Sequence, residues 1–263
     1  MTQQFISLLQ YCVVFYIVLT ALFYLLSDFI IFQPPQPPRY HLNSNIQFVT
    51  LANGGKIATT YYENPHSKYT LLYSHGNAED LGTLQAYLYY YFQRGYSILA
   101  YDYEGYGLSS GKASEQNVYQ NVEAVFKYMQ NDLGISADRI IVHGSSLGSG
   151  PSVHLASRHK VAGLILEAPF VSTYRVKTRF PLIPFDKFVN IKKIAQVKAP
   201  LLIIHGKRDT IVPFWHGQKL MQAANRPKTF FEVEYAGHND LIQVSGAAYW
   251  QTIETFVNGL NHE

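Results

Sequence analysis

Asp138-Arg139-Ile140-Ile141-Val142-His143 running into Gly144-Ser145-Ser146-Leu147-Gly148 is the stretch that decides the fold. The apolar run reads as a buried strand, and the residues after Gly148 read as a helix rich in small side chains. Between them, two glycines permit a turn so sharp that the central serine is held in a strained conformation with its hydroxyl exposed above the sheet. Ser146 is therefore the candidate nucleophile. The same five-residue pattern recurs at Gly107-Leu108-Ser109-Ser110-Gly111. That copy follows a strand end and a Gly-rich loop, no small-residue helix begins directly after it, and a structural role is expected for Ser109.

A serine hydroxyl is a weak nucleophile at neutral pH and needs an imidazole to take its proton, with a carboxylate on the far ring nitrogen to fix the tautomer. Asp209 stands just past the apolar strand Pro200-Leu201-Leu202-Ile203-Ile204-His205, and His238 lies in Ala236-Gly237-His238-Asn239-Asp240 near the C-terminus. Serine, then aspartate, then histidine is the order found in α/β hydrolases. Glu167, ending the strand Gly163-Leu164-Ile165-Leu166-Glu167, is the rival for the acid. The turn His75-Gly76-Asn77-Ala78-Glu79-Asp80 follows another apolar strand, and the backbone amides of Asn77 and Leu147 are the expected donors to an oxyanion. Asn77 or Asp80 is alternatively a plain helix cap. The pairs His143-Gly144 and His205-Gly206, which also end apolar strands, are expected to be structural.

At 263 residues, the alternation of strands and helices from about residue 46 to 258 favours one α/β domain. Strands are expected at Ile46-Leu51, Lys56-Tyr62, Tyr69-Ser74, Ser97-Tyr101, Ile140-His143, Gly163-Glu167, Leu201-His205 and Thr229-Tyr235. The segment of residues 169–199 interrupts the alternation with Pro169, Pro181 and Pro184 and with Phe170, Tyr174, Phe180 and Phe185. It predicts a short lid whose aromatics roof an apolar acyl group, or else an irregular connection whose aromatics fill the core. The net charge of +3 shows no basic stripe, which argues against nucleic acid as a partner. A single cysteine, Cys12, excludes an intramolecular disulfide framework and a cysteine-based zinc site. No His/Asp cluster with metal-ligand spacing is visible, so no metal site is expected.

Phe5 to Ser27 is a run of 23 uncharged, mostly apolar residues. As a helix it would cover about 35 Å against a hydrocarbon core of about 30 Å. It lacks the basic start and the small-residue cleavage site of a signal peptide, which favours a retained single-pass anchor over residues 1–32. Pro34-Pro35-Gln36-Pro37-Pro38 then predicts a stiff spacer, within residues 33–45, that holds a catalytic domain of residues 46–263 just off the membrane. Arg39 is the only basic residue near the run and places that domain on the cytoplasmic side.

Taken with Ser-His-Gly-Asn-Ala-Glu-Asp-Leu-Gly at residues 74–82 and Tyr-Asp-Tyr-Glu-Gly-Tyr-Gly at 101–107, these motifs make a family recognisable. The chain resembles the membrane-associated α/β-hydrolase-domain serine hydrolases, a group that includes protein depalmitoylases. The resemblance implies an α/β-hydrolase fold, a Ser146-Asp209-His238 triad and no cofactor. It departs from the depalmitoylases in one respect, since an apolar segment with only Cys12 stands where they carry an acylated cysteine cluster. The expected activity is hydrolysis of an acyl ester or thioester, with an acylated lipid, an ester or an S-acylated protein as substrate. A monoacylglycerol or lysophospholipid lipase and a general carboxylesterase share the same residues, and a silent membrane scaffold would have lost one of them.

Overall fold

The computed structural model describes residues 3–43 and 45–260. Residues 1 and 2 of the expected anchor, Ser44 of the expected spacer and residues 261–263 of the expected catalytic domain lie outside the described residues. Eight strands form one sheet: β1 (Ile46–Thr50), β2 (Lys56–Tyr62), β3 (Thr70–Ser74), β4 (Ser97–Tyr101), β5 (Ile140–Ser145), β6 (Gly163–Glu167), β7 (Leu201–Gly206) and β8 (Lys228–Val233). Their order is β1-β2-β4-β3-β5-β6-β7-β8. β2 runs antiparallel to both β1 and β4, and every other pairing is parallel.

Side chains alternate across a strand, and here both faces are buried, so the central strands carry consecutive apolar residues rather than one at every second position. Leu72, Val142, Leu164 and Ile203 join the core on one face, while Leu71, Ile141, Ile165 and Ile204 join it on the other. The first face is covered by α3 (Glu115–Asn131), α4 (Ser149–Arg158), the single-turn α5 (Asn190–Lys193) and α6 (Trp215–Ala223). The second is covered by α2 (Leu81–Gln93), α7 (Leu241–Ser245) and α8 (Ala247–Gly259). α3 shows why these positions become helix: Val118, Val122, Val125, Phe126 and Met129 fall on one buried stripe, and the Ser114 hydroxyl accepts the Asn117 amide at the start. Because β3 and β5 to β8 are parallel, the loops leaving their C-terminal ends gather at one edge of the sheet, where open α/β sheets place their sites.

Before the sheet comes α1 (Gln3–Ile31), the one helix among the described residues long and apolar enough to cross a membrane. Its C-terminal half is seated on the domain. Phe23 meets Tyr174 edge-on with ring centroids 5.0 Å apart, Tyr24 meets Phe185 at 5.1 Å, and Asp28 pairs with Lys187. The proline segment that follows corrects the expectation of a stand-off spacer. Pro35 and Tyr40 are buried, the Tyr40 hydroxyl donates to Asp102 at 2.5 Å, and the Arg39 amide donates to Asp80 at 2.7 Å. Proline keeps this run extended, but Pro35, the Arg39 amide and Tyr40 find partners on the domain, so it lies along the surface instead of projecting from it.

Candidate active site

The turn from β5 into α4 holds Ser146 at φ +50°, in the left-handed region that a β-carbon disfavours. The flanking glycines are required by space. A β-carbon on Gly148 would lie 1.9 Å from the Ser74 carbonyl oxygen, and one on Gly144 would lie 2.4 Å from the Gly148 carbonyl oxygen. Any larger residue at either place would push the turn away from β3, so the elbow stays tight enough to lift the serine above the strand ends.

Two loops from the same edge of the sheet meet it. His238, in the loop after β8, places Nε2 2.9 Å from Ser146 Oγ and Nδ1 2.7 Å from Asp209 Oδ2. Asp209 follows β7 with its side chain fully buried, and its Oδ1 accepts the backbone amides of Ile211 at 2.9 Å and Val212 at 2.8 Å. Burial pushes this carboxyl up, but hydrogen bonds from His205 and His238 outweigh it and hold the group well below the usual carboxylate range. With Asp209 ionised, Nδ1 of His238 carries the proton and Nε2 faces the serine as an acceptor.

His205, expected to be structural, also makes a second contact to Asp209. Its Nε2 lies 2.9 Å from the Val212 carbonyl, which can only accept, so Nε2 bears a proton; that same N–H points toward Asp209 Oδ2 at 3.3 Å. The only sequence cue was its position, four residues before Asp209 at the end of β7.

The two expected oxyanion donors lie on neighbouring turns. Leu147 lies in the first turn of the helical run that opens at Ser146 and continues into α4, where amides have no intrahelical acceptor. No backbone carbonyl among the described residues accepts the Asn77 N–H. The two loops are neighbours, since a β-carbon placed on Gly76 would sit 3.6 Å from Ser146 Cβ. Asp80, the other residue of this turn, caps α2 by accepting the Thr83 amide, so the helix-start reading holds for Asp80 while Asn77 is free of that duty.

The rival residues have other work. Glu167 is buried and accepts from His143 Nε2 at 2.8 Å, from the Tyr87 hydroxyl at 3.0 Å and from the Tyr249 hydroxyl. Ser109 accepts the Ala58 amide at 2.9 Å and donates to the Asp102 carbonyl at 2.8 Å, which ties its loop to β2. The lid expectation needs correction. Phe170 is only 3% exposed and sits in the core near Phe188, because the chain turns back over the strand ends directly after β6. Tyr174 and Phe185 pack on α1, so of the four predicted roof residues only Phe180, 71% exposed beside the 65% exposed Leu182, is open to the surroundings. No group of three or more His, Cys, Asp or Glu side chains among the described residues is arranged so that it could hold a metal ion.

Eight strands in this order, an elbow after β5, an acid after β7 and a histidine after β8 define an α/β hydrolase. The family model described as serine aminopeptidase, S33 matches residues 65–190. α/β-Hydrolase domain-containing protein 17B of Homo sapiens is 40% identical over 213 residues, covering 79% of this chain and 73% of that protein. Protein 17C of Mus musculus is 40% identical over 204 residues, covering 76% and 62%. The chain belongs to this α/β-hydrolase domain-containing family. Among solved structures the fold matches the Pyrococcus furiosus esterase Pf2001 at a TM-score of 0.72, with 20% identity over 86% of this chain and 97% of that one. It also matches α/β-hydrolase domain-containing protein 10 from mouse at 0.64, with 17% identity over 83% and 100%.

Proposed function

We propose that the protein is a membrane-anchored serine hydrolase that cleaves acyl esters or thioesters through a covalent acyl-enzyme on Ser146. The observation that carries this reading is the continuous relay from Ser146 Oγ through His238 to Asp209, at 2.9 and 2.7 Å. Ser146 Oγ attacks the acyl carbonyl carbon while its proton passes to His238 Nε2. The carbonyl oxygen becomes an oxyanion facing the Asn77 and Leu147 amides, each contributing on the order of 3 kcal/mol to the transition state. Collapse expels an alcohol or thiol that takes the proton from His238, and water repeats the sequence to release the carboxylic acid.

The substrate we favour is an acyl chain presented at a lipid surface, either an acylated lipid or an S-acylated protein. The support is spatial. The apolar segment Phe180-Pro181-Leu182 meets α1, with the Tyr16 hydroxyl donating to the Leu182 carbonyl at 3.1 Å, so the exposed Phe180 and Leu182 side chains share the span's apolar surroundings. The position of Arg39 after the span supports a cytoplasmic catalytic domain. The test is a fluorophosphonate probe on detergent-solubilised full-length protein and on Ser146→Ala, followed by a panel of monoacylglycerols, lysophospholipids and S-palmitoylated peptides. Labelling of wild type alone supports the reading, and the panel ranks the leaving groups. No labelling of folded wild type would remove the activated serine from it.

A further inference from the structure

The side chain of Asn77 is held by the end of α1. Its Nδ2 donates to the Ile31 carbonyl at 2.7 Å, and its Oδ1 accepts the Gln33 amide at 3.0 Å and the Tyr106 hydroxyl at 2.6 Å. The Ile31 carbonyl belongs to the last turn of α1, where carbonyls have no intrahelical donor, so the carboxamide caps the helix that reaches it. On both sides of this contact the chain is fixed. Ile31 and Phe32 are buried in the catalytic core, Phe32 edge-on to Phe188 with centroids 6.0 Å apart, and Tyr106 is buried against Tyr103 and His75.

The loop bearing Asn77 needs such support. Ala78 sits at φ +59°, a left-handed conformation that costs an alanine about 1–3 kcal/mol and persists only where surroundings impose it. Within the loop, Glu79 accepts the Gly76 amide at 2.7 Å and His75 Nδ1 meets the Gly76 carbonyl at 2.8 Å. These bonds brace the residues around Asn77. The orientation of Asn77 itself, and so the aim of its N–H, is set by the carboxamide and by what grips it.

We infer that the C-terminal end of α1 is a positioning element of the oxyanion hole: the Ile31 carbonyl and the Gln33 amide grip the Asn77 carboxamide and so aim the Asn77 N–H at the reacting carbonyl. This rests on the oxyanion role proposed above for that N–H. The anchor then does more than localise the enzyme. The seating of α1 on the domain and the catalytic step are linked, because whatever shifts the last turn of α1 shifts the donor.

The experiment is a double-mutant cycle in full-length protein in detergent, with Asn77→Ala, Phe32→Ala and the pair. Asn77→Ala keeps the backbone N–H and removes the grip; Phe32→Ala keeps the three partners and loosens the end of α1. The readouts are kcat and KM on a p-nitrophenyl ester and the Ki of a trifluoromethyl ketone, which adds Ser146 Oγ to its carbonyl and leaves an oxyanion in the hole. Asn77→Ala is expected to lower kcat and weaken the ketone by the same factor, about 10–100, less than the 10²–10³ for outright loss of a donor. KM should stay within about three-fold, Phe32→Ala should move both quantities the same way by less, and the pair should be no worse than Asn77→Ala. Unchanged ketone affinity in Asn77→Ala, or full additivity in the pair, overturns the inference. If Asn77→Ala does not fold, Gln33→Pro deletes the amide that Oδ1 accepts, together with the Gln33 side chain and its bond to the Ile30 carbonyl at 3.4 Å, and unchanged ketone affinity there overturns it as well. A wild type that neither takes a fluorophosphonate nor binds the ketone is a different failure, which sinks the hydrolytic reading and the grip with it.

Discussion

Replacing Asp209 by asparagine exchanges one carboxylate oxygen for an NH2 group, and the surroundings decide which one. Oδ1 accepts two backbone amides, from Ile211 at 2.9 Å and Val212 at 2.8 Å, so the carboxamide oxygen stays there and the NH2 takes the place of Oδ2, 2.7 Å from His238 Nδ1. A donor facing Nδ1 stabilises the tautomer protonated at Nε2, which cannot accept the proton of Ser146. Escape by flipping the amide would set NH2 against the two backbone N–H groups. Leaving two buried donors unpaired costs about 2–6 kcal/mol, so the productive arrangement is populated at about one part in 30 to one part in 10⁴. We therefore expect kcat on p-nitrophenyl butyrate to fall by about 10²–10⁴ in Asp209→Asn, with KM within a few-fold because no substrate contact is lost. The thermal midpoint should fall modestly, since both backbone bonds survive while the ionised oxygen that His205 and His238 face is lost. An Asp209→Asn enzyme retaining more than about a tenth of wild-type kcat would refute the reasoning, because the two amides would then not be dictating the flip.

Three further outcomes are expected. Ser146→Ala should abolish turnover and fluorophosphonate labelling, while Ser109→Ala, which loses only its ties to Ala58 and Asp102, should keep kcat within about three-fold and lose about 1 kcal/mol of stability. Glu167→Gln should lower the thermal midpoint, by the equivalent of about 1–3 kcal/mol for the disturbed bonds to His143, Tyr87 and Tyr249, with kcat near wild type; a dead but fully stable enzyme would move the acid role to Glu167. Glu123 is hydrogen-bonded to His159 at 2.8 Å and faces His154 at 3.6 Å; burial pushes its pKa up, but those two partners bring it down to about 2. A depressed carboxylate stabilises the fold above its unfolded pKa and loses that contribution as pH falls through its folded one. After discounting for solvent screening at this partly exposed site, Glu123→Gln should cost about 1 kcal/mol at pH 5.5, and the gap to wild type should close by about pH 2. A gap that does not depend on pH, read from thermal midpoints, would show that packing alone is lost.

The parts of this fold legible from sequence are those with a local period. Buried strands such as Leu201–Gly206 announce themselves as apolar runs, and α3 by three- and four-residue spacing. The elbow is legible because its glycines are forced by contacts within a few residues and with β3. Ser146 and His238 stand 92 residues apart, and their meeting follows from parallel strands that deliver successive loops to one edge. None of this required knowing where any surface side chain points.

The parts that were not legible are contacts between segments that share no period. Tyr16 and Leu182 are 166 residues apart, Asn77 and Ile31 are 46 apart, and no alternation or motif encodes either pair. The proline run illustrates the difference. Its composition dictates an extended backbone, and an extended backbone is equally able to stand in solvent or to lie on a surface. What decides is whether the partners exist, and the carboxylates of Asp80 and Asp102 that receive Arg39 and Tyr40 belong to a helix start and a strand end far along the chain. The aromatics of residues 169–199 pose the same problem. Phe170 and Phe180 are indistinguishable by type, yet one closes the core against Phe188 and the other stays open beside Leu182 and α1. Sequence assigns an amphipathic insertion its composition; only the position of α1 assigns it a direction.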